Sequence, residues 1–133
     1  KFNNDDLNIL NNFSSNIDNI VDKIDNQNIN YYIDFVVGQL FNANKYFNDQ
    51  APWTKKSDTK RLNTIVYVSL ELIRKISILL YPVMPQTTLK VLSIFSINEK
   101  QINFLSITDN KFLKEKMKIS KLDILFKKIN KND

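Results

Sequence analysis

The chain has 133 residues, of which 43% are hydrophobic, and it carries a formal net charge of +5. That length indicates one domain with a modest hydrophobic core. Cysteine and histidine are absent, which excludes disulfides, thiol nucleophiles, histidine-based catalysis and most zinc sites. A single glycine and three prolines argue against all-β and α/β folds, which need many turns.

The charge is unevenly distributed along the chain. Residues 1–50 contain three lysines and seven acids, a net charge of −4, whereas residues 51–133 contain 16 basic and seven acidic residues, a net charge of +9. A basic half of this kind is compatible with a surface that contacts a polyanion. A solvated lysine-rich face explains the same numbers and is commoner on charge alone. The longest apolar run, residues 76–83, is far too short to span a membrane, and we expect a cytoplasmic protein without a membrane partner.

The first element is predicted to be an amphipathic helix from about Asp5 to Asp25. Ser and Asn at positions 14–16 lower the helix propensity, so a break is expected there. The apolar residues at steps of three and four are Leu7, Leu10, Phe13, Ile17, Ile20, Val21 and Ile24.

A stronger helix is predicted to follow, with Asn28 as its N-cap and its end near residues 50–51, because the residue before Pro52 avoids the α region. Asn44 lies in its apolar register, where it is either a structural hydrogen-bond centre or a ligand contact at the rim of a site. The predicted buried face comprises Ile29, Tyr32, Ile33, Val36, Val37, Leu40, Phe41, Asn44 and Phe47.

A third long helix is predicted to begin after Ser57 or Asp58 and to stop at Pro82, and a shorter fourth helix should begin at Pro85. Beyond residue 96 the periodicity fades, and we expect only a short helix near residues 109–114. The predicted fold class is therefore all-α, a helical bundle with an irregular basic C-terminal tail packed back on it.

Trp53, the only tryptophan, lies in a cluster of aromatic and basic residues just after Pro52. An exposed ring with cations nearby can stack an unpaired base, which contributes about 1–3 kcal/mol. Composition alone slightly favours packing of Trp53 in the core. The cluster comprises Lys45, Tyr46, Phe47, Trp53, Lys55, Lys56, Lys60 and Arg61.

Two stretches, in this order along the chain, resemble a known family. Asn44–Trp53 reads Asn-Lys-Tyr-Phe-Asn-Asp-Gln-Ala-Pro-Trp, and Leu72–Pro85 comprises the end of the predicted third helix followed by Pro-Val-Met-Pro. Together they resemble the anticodon-binding domain of methionyl-tRNA synthetases, in which Asn-(Lys/Arg)-Tyr precedes Ala-Pro-Trp. Residues 125–129 are similar to the Leu-Phe-Pro-(Arg/Lys)-Ile signature of that family, with Lys127 in place of proline. The resemblance covers residues 28–96 and 122–129.

The resemblance implies the helical-bundle fold of class I aminoacyl-tRNA synthetases, with residues 1–133 as an anticodon-binding domain. The parent enzyme would be a methionine–tRNA ligase that uses ATP with Mg²⁺. This chain would hold no cofactor and would not be catalytic alone. Its implied partners are the CAU anticodon loop of a tRNA and the catalytic domain of the same chain.

The resemblance also implies a tRNA anticodon-binding site. Trp53 matches the family tryptophan on which an anticodon base stacks, and Pro52 would shape that platform. Asn44 would support the site or touch RNA, and Lys45 and Lys55 complete the predicted site.

Two features of the family have no match in this chain. The other anticodon readers of the family, an Asn and an Arg four residues apart, would lie on a helix upstream of Lys1, so we expect the first helix of the domain to be missing. We expect the catalytic domain to lie outside these residues as well. We therefore predict weak or no discrimination of the anticodon by these residues alone, and no aminoacylation.

Two other interpretations are open on the sequence. One is the same domain from a synthetase for valine, isoleucine, leucine or cysteine, although the Ala-Pro-Trp element argues against it. The other is a helical protein-interaction module whose basic face is only compositional. That module predicts a Trp53 side chain buried on every side.

Overall fold

A computed structural model describes residues 1–115, 120–121 and 125–126. These residues form helices and turns, without a strand in the described ranges, which confirms the all-α fold. The α-helices are α1 (Asn4–Ser14), α2 (Ile17–Asp25), α3 (Ile29–Gln50), α4 (Thr59–Leu80) and α5 (Pro85–Ser93). Three short 3-10 helices span Pro52–Thr54, Glu99–Gln101 and Phe104–Thr108. Across the described ranges, no helix has the length and apolar character needed to cross a membrane.

The expected break in the first helix is confirmed, and α1 and α2 are separate helices. Asn3 caps α1, since its side chain accepts a hydrogen bond from the Asp6 N–H while the Asp6 carboxylate accepts one from the Asn3 N–H. At the break, Asn16 Nδ2 donates to the Asn12 carbonyl over 3.0 Å. Side-chain bonds of this kind compete with the helical ladder, so short polar residues mark the end of α1.

The predicted ends of α3 are also confirmed. Asn28 Oδ1 accepts a hydrogen bond from the Tyr31 N–H at 3.2 Å, which satisfies one free donor of the first turn. At the other end Ala51 adopts the left-handed conformation, with φ 44° and ψ 62°. Pro52 follows as the first residue of a 3-10 turn, so the chain leaves the axis of α3 within one residue.

The predicted buried face of α3 is correct for Tyr32 and Val36 but wrong for most of the other predicted residues. Its fully buried residues are Tyr32, Val36, Gln39 and Tyr46, whereas six of the nine predicted residues are exposed. Apolar residues occupy a wide arc of this helix, and α1, α2 and α4 cover only one side of it. Burial of Gln39 is possible because its Oε1 accepts a hydrogen bond from Asn12 Nδ2 at 3.2 Å. The exposed six are Ile29, Val37, Leu40, Phe41, Asn44 and Phe47.

Helix α4 is the centre of the bundle and contacts α1, α3 and α5. Asp58 caps it through a 3.0 Å bond from the Arg61 N–H, and the helix ends two residues before Pro82, as predicted. Its inner face carries both apolar and charged residues, since Glu71, Arg74 and Lys75 are completely buried. The apolar core around it includes Leu10, Phe13, Ile20, Val36, Ile65, Val68, Leu72, Leu79, Leu92 and Ile107.

The chain after α5 differs from the prediction. Helix α5 begins at Pro85 as expected, but residues 109–114 form turns and irregular structure instead of a short helix. The cause is the buried charges of α4, because Arg74 donates to the carbonyls of Ser106 and Asp109, and Glu71 accepts from the Leu113 N–H. These bonds use backbone groups that a helix would need.

The predicted basic tail lies only partly within the described residues. There, the Ser120 N–H donates to the Ile94 carbonyl over 3.3 Å, and Leu125 is half-buried. Residues 116–119, 122–124 and 127–133, with most of the C-terminal signature, lie outside the described ranges.

Candidate nucleic-acid interface

The segment of residues 51–58 that joins α3 to α4, called the elbow here, is a compact series of turns. Ala51 accepts two hydrogen bonds at its carbonyl, from the Thr54 N–H at 2.9 Å and from Thr54 Oγ1 at 2.7 Å. The Lys55 N–H donates to the Pro52 carbonyl at 3.0 Å, and the Asp58 N–H donates to the Lys55 carbonyl, also at 3.0 Å. The elbow therefore has a defined backbone path rather than an open loop.

Trp53 lies on the outside of the elbow with 56% of its surface exposed. The preceding Pro52 is buried, so the proline anchors the turn while the indole faces solvent. Phe47, in the last turn of α3 and 39% exposed, lies beside it with ring centroids 6.1 Å apart and planes inclined at 59°. Trp53 is not a plug in the core, and the buried tryptophan expected of a protein-interaction module is not observed.

Three other predicted site residues precede or follow Trp53 in the sequence. Asn44 and Lys45 occupy the last two turns of α3 and are exposed, and Lys55 is half-buried in the elbow. Asn44 is therefore not a buried structural hydrogen-bond centre. Asn44 and Lys45 line a shallow depression of about 350 Å³ together with Phe41, Asn48 and Asp49.

Solvent-exposed cations lie near the end of α3, in the elbow and just after it. Lys45 Nζ contacts Asp49 Oδ2 at 2.5 Å, but both side chains are more than half exposed. An exposed pair of this kind contributes about 0–1 kcal/mol, so a phosphate can compete for the lysine. Lys56 and Lys60 are exposed in and just after the elbow. In the part of the chain that the structure describes, no three acidic residues come together as metal ligands.

Arg61 was grouped by sequence with these cations, but its guanidinium faces the interior. Nη1 donates to Asp6 Oδ2 at 2.7 Å, and Nη2 donates to Asp6 Oδ1 at 3.0 Å and to Gln50 Oε1 at 2.5 Å. Asp6 is completely buried and also accepts from the Tyr46 hydroxyl at 2.6 Å. Arg61 is therefore a structural cation and is not available to RNA.

Burial raises the pKa of the Asp6 carboxyl, but the hydrogen bonds from Arg61, Tyr46 and the Asn3 N–H outweigh burial and leave the pKa below 3.8. The same cluster raises the pKa of Tyr46, first through burial and then through the Asp6 carboxylate. Asp6 was not singled out in the sequence analysis. The capping box with Asn3 was visible in the sequence, but the pairing with Arg61 joins residues 55 positions apart.

The function of this surface is indicated by the similarity of the chain to known proteins. A family described as the anticodon-binding domain of methionyl-tRNA ligase matches residues 2–133. The chain belongs to this family. The match includes α1 and α2, which the resemblance seen in the sequence did not cover.

Individual members of the methionyl-tRNA ligase family are similar to the chain. A methionine–tRNA ligase of Picrophilus torridus is 32% identical over 125 residues, 92% of this chain and 18% of that protein. One from Thermotoga maritima is 41% identical over 63 residues, 46% of this chain and 10% of that protein. The chain thus spans less than a fifth of these relatives. Interpretation as a domain from a valine, isoleucine, leucine or cysteine enzyme is not favoured.

The fold agrees with this assignment. The structure of a methionyl-tRNA synthetase of Mycobacterium tuberculosis in its free state superposes with a TM-score of 0.85 at 24% identity. The alignment covers 98% of this chain and 27% of that one. The helical bundle described above is therefore a known architecture of the methionyl-tRNA ligase family.

Proposed function

We propose that these residues are the anticodon-binding portion of a methionine–tRNA ligase, and that Trp53 is the platform on which an unpaired anticodon base stacks. The observation that carries the proposal is the exposed indole on a turn anchored by the buried Pro52, in a chain of the anticodon-binding family. The parent protein would attach methionine to its tRNA in the cytoplasm, using ATP with Mg²⁺ at a catalytic domain outside these residues. The CAU anticodon would be its target.

A stacking platform must be flat, exposed and held in place, and Trp53 meets each condition. More than half of its surface is open to solvent, and the backbone bonds of the elbow fix its Cα. The Phe47 ring lies beside the indole ring of Trp53, and this neighbour limits the rotation of the Trp53 side chain. Stacking alone does not select a base, because every base has a π-face. Trp53 therefore contributes affinity, and selection of CAU needs further groups.

The charged groups around the platform fit a role in holding the backbone of an RNA loop. Lys45 lies in α3 near its end, and Lys55 and Lys56 follow Trp53 in the elbow. Lysines with solvent access bind phosphates through counterion release. Asn44 offers an amide that can both donate and accept a hydrogen bond near the same surface. We assign Asn44, Lys45, Pro52, Trp53 and Lys55 to the proposed site.

The test is the substitution Trp53→Ala in the parent protein, with a CAU stem-loop as ligand. Loss of a stacked base should weaken binding by about 1–3 kcal/mol, which is about 5- to 150-fold in dissociation constant. The matched control is Tyr31→Ala, an exposed ring with Lys23 Nζ 5.4 Å from its centroid, at the opposite end of α3. Binding is measured by fluorescence anisotropy of the labelled RNA at several salt concentrations.

Unchanged affinity of the Trp53→Ala variant would contradict the stacking role, as would an equal loss in the Tyr31→Ala control. Binding that does not weaken with salt would contradict the contribution of the lysines. Activation of an amino acid other than methionine by the parent protein would contradict the proposed enzyme.

A further inference from the structure

We propose that Asp6, Arg61 and Gln50 form a clamp that holds the elbow, and with it Trp53, in the position needed for stacking. Arg61 and Gln50 are then positioning residues for anticodon binding. They act through Trp53 and do not touch the RNA themselves. This inference rests on the proposed function.

The clamp joins the ends of three helices. Asp6 is in the first turn of α1, Gln50 is the last residue of α3, and Arg61 is in the first turn of α4. One guanidinium bridges the other two, with bonds of 2.7 and 3.0 Å to Asp6 and 2.5 Å to Gln50. Gln50 Nε2 adds a second link to α1 through Asp5 Oδ2 at 3.3 Å. Both chain ends of the elbow are therefore tied to the start of α1.

The clamp supplies an anchor that the elbow does not have in its own backbone. Among the described residues, the backbone hydrogen bonds of residues 51–58 stay within residues 47–62. Such bonds shape the turn but do not orient it relative to α1. Orientation comes from the burial of Pro52 and from the two clamped side chains, Gln50 and Arg61, which flank the elbow in sequence.

The geometry of the clamp makes it rigid. Asp6 is completely buried and the Arg61 side chain is only 18% exposed. Two parallel N–H to carboxylate bonds fix the plane of the guanidinium, and the Tyr46 hydroxyl and the Asn3 N–H occupy the other lone pairs of Asp6. Only one donor group of Arg61, Nη2, reaches the end of α3, so the Gln50 link can be removed without breaking the buried ion pair.

This separation allows a direct test in the parent protein, with the substitution Gln50→Met. Methionine keeps the length of the side chain and the helix propensity but removes the bonds to Arg61 and Asp5. We expect the dissociation constant for a CAU stem-loop to rise about 3- to 10-fold, the weight of the Gln50–Arg61 hydrogen bond, because the bond to Asp5 is exposed to water. The melting temperature should change little. The matched control is Gln86→Met, an exposed glutamine of α5, which follows the far end of α4.

A double-mutant cycle separates positioning from general structural damage. If Gln50 acts through Trp53, then Gln50→Met should have no further effect in a Trp53→Ala background. An equal loss in both backgrounds would overturn the clamp, and so would wild-type affinity of the Gln50→Met variant. If Trp53→Ala itself leaves binding unchanged, the proposed function fails first and the clamp fails with it. If Trp53→Ala weakens binding and Gln50→Met does not, the proposed function stands and only the clamp is overturned.

Discussion

At the scale of single residues, Asp6 combines a local cap with a long-range ion pair on one carboxylate. Oδ2 accepts from the Asn3 N–H at 2.9 Å and from Arg61, and Oδ1 accepts from Tyr46 and again from Arg61. A carboxylate taken fully out of water needs this number of partners, because an unpaired buried charge is strongly destabilising. Asp6 therefore controls both the start of α1 and the orientation of α4.

The substitution Asp6→Asn should destabilise the fold by about 3 kcal/mol, because it leaves Arg61 without its counter-ion. The pKa of Asp6 is lowered in the fold, so its stabilising effect is present above pH 3.8 and is lost as the pH falls below that value. The free-energy difference between wild type and variant should therefore shrink in acid. Urea denaturation at several pH values measures it. The control Asp5→Asn changes an exposed neighbour, and an equally large effect there would contradict the argument.

Lys75 is a second buried charged group, but the fold disfavours its charged form, whereas the fold favours the charged form of Asp6. Its Nζ donates to Asn110 Oδ1 at 2.5 Å and to the Leu10 carbonyl at 3.3 Å, and lies 5.7 Å from the Phe13 ring centroid. Burial, with a smaller contribution from the Arg74 charge, lowers the pKa of Lys75 to about 8, against the attraction of Glu71 and Asp109. The folded state therefore releases a proton that the unfolded state still binds up to pH 10.5.

Wild-type stability should consequently rise relative to a Lys75→Met variant as the pH increases through this window. The expected gain is about 1 kcal/mol between about pH 8 and pH 9, because the folded state loses its proton there while the unfolded state keeps it. Guanidinium titrations of both proteins at each pH give the difference. A difference that is constant with pH, or that falls as the pH rises, would contradict the lowered pKa of Lys75.

At the scale of elements, α4 organises the chain on both sides of it. Its inner face holds the apolar core, and the buried pair Glu71 and Arg74, 2.8 Å apart, fixes the segment that follows α5. Arg74 donates to the Ser106 carbonyl at 2.9 Å and to the Asp109 carbonyl at 2.7 Å, while the Tyr67 hydroxyl donates to the Leu113 carbonyl at 2.6 Å. Side chains of α4 thus hold residues 104–113, and residues 109–113 form turns and irregular structure after the 3-10 helix.

The substitution Arg74→Lys tests this attachment, since lysine keeps the charge but cannot reach two carbonyls in a fixed fork. Loss of two hydrogen bonds should destabilise the fold by about 2 kcal/mol. Hydrogen exchange followed by mass spectrometry should show that the substitution accelerates exchange, relative to the wild type, more in residues 104–113 than in α4. The control Lys111→Met removes an exposed cation of the same segment. Uniform acceleration along the whole chain would contradict a local role for Arg74.

The outcome of the sequence analysis differs between elements for physical reasons. Helix ends depend on local signals, so Asn28, Asp58 and Pro85 predicted them correctly. The buried face of α3 depends on which neighbours cover it, and a helix that is apolar on two adjacent sides does not reveal that. The prediction of a short helix after α5 was wrong because hydrogen bonds from α4, more than 30 residues away, determine the path of that segment.

At the scale of the whole molecule, the chain presents an aromatic and basic surface at one end of a helical bundle. Sequence motifs located Pro52 and Trp53 and assigned the family, because the Ala-Pro-Trp element is local. Sequence reasoning did not find the clamp behind them, because its residues are separated by up to 55 positions. The chain covers 18% of the Picrophilus torridus relative, and the proposed site concerns base stacking and phosphate binding.

The most direct test of the central claim uses the fact that Trp53 is the only tryptophan in these 133 residues, so that the indole emission of this chain reports the proposed platform alone. We predict that a CAU stem-loop quenches this emission at low salt, and that a duplex RNA of equal length, which has no unpaired base, does not. Raising the salt concentration should reverse the quenching. Binding of labelled stem-loop, detected by anisotropy, with no change in Trp53 emission would contradict the account.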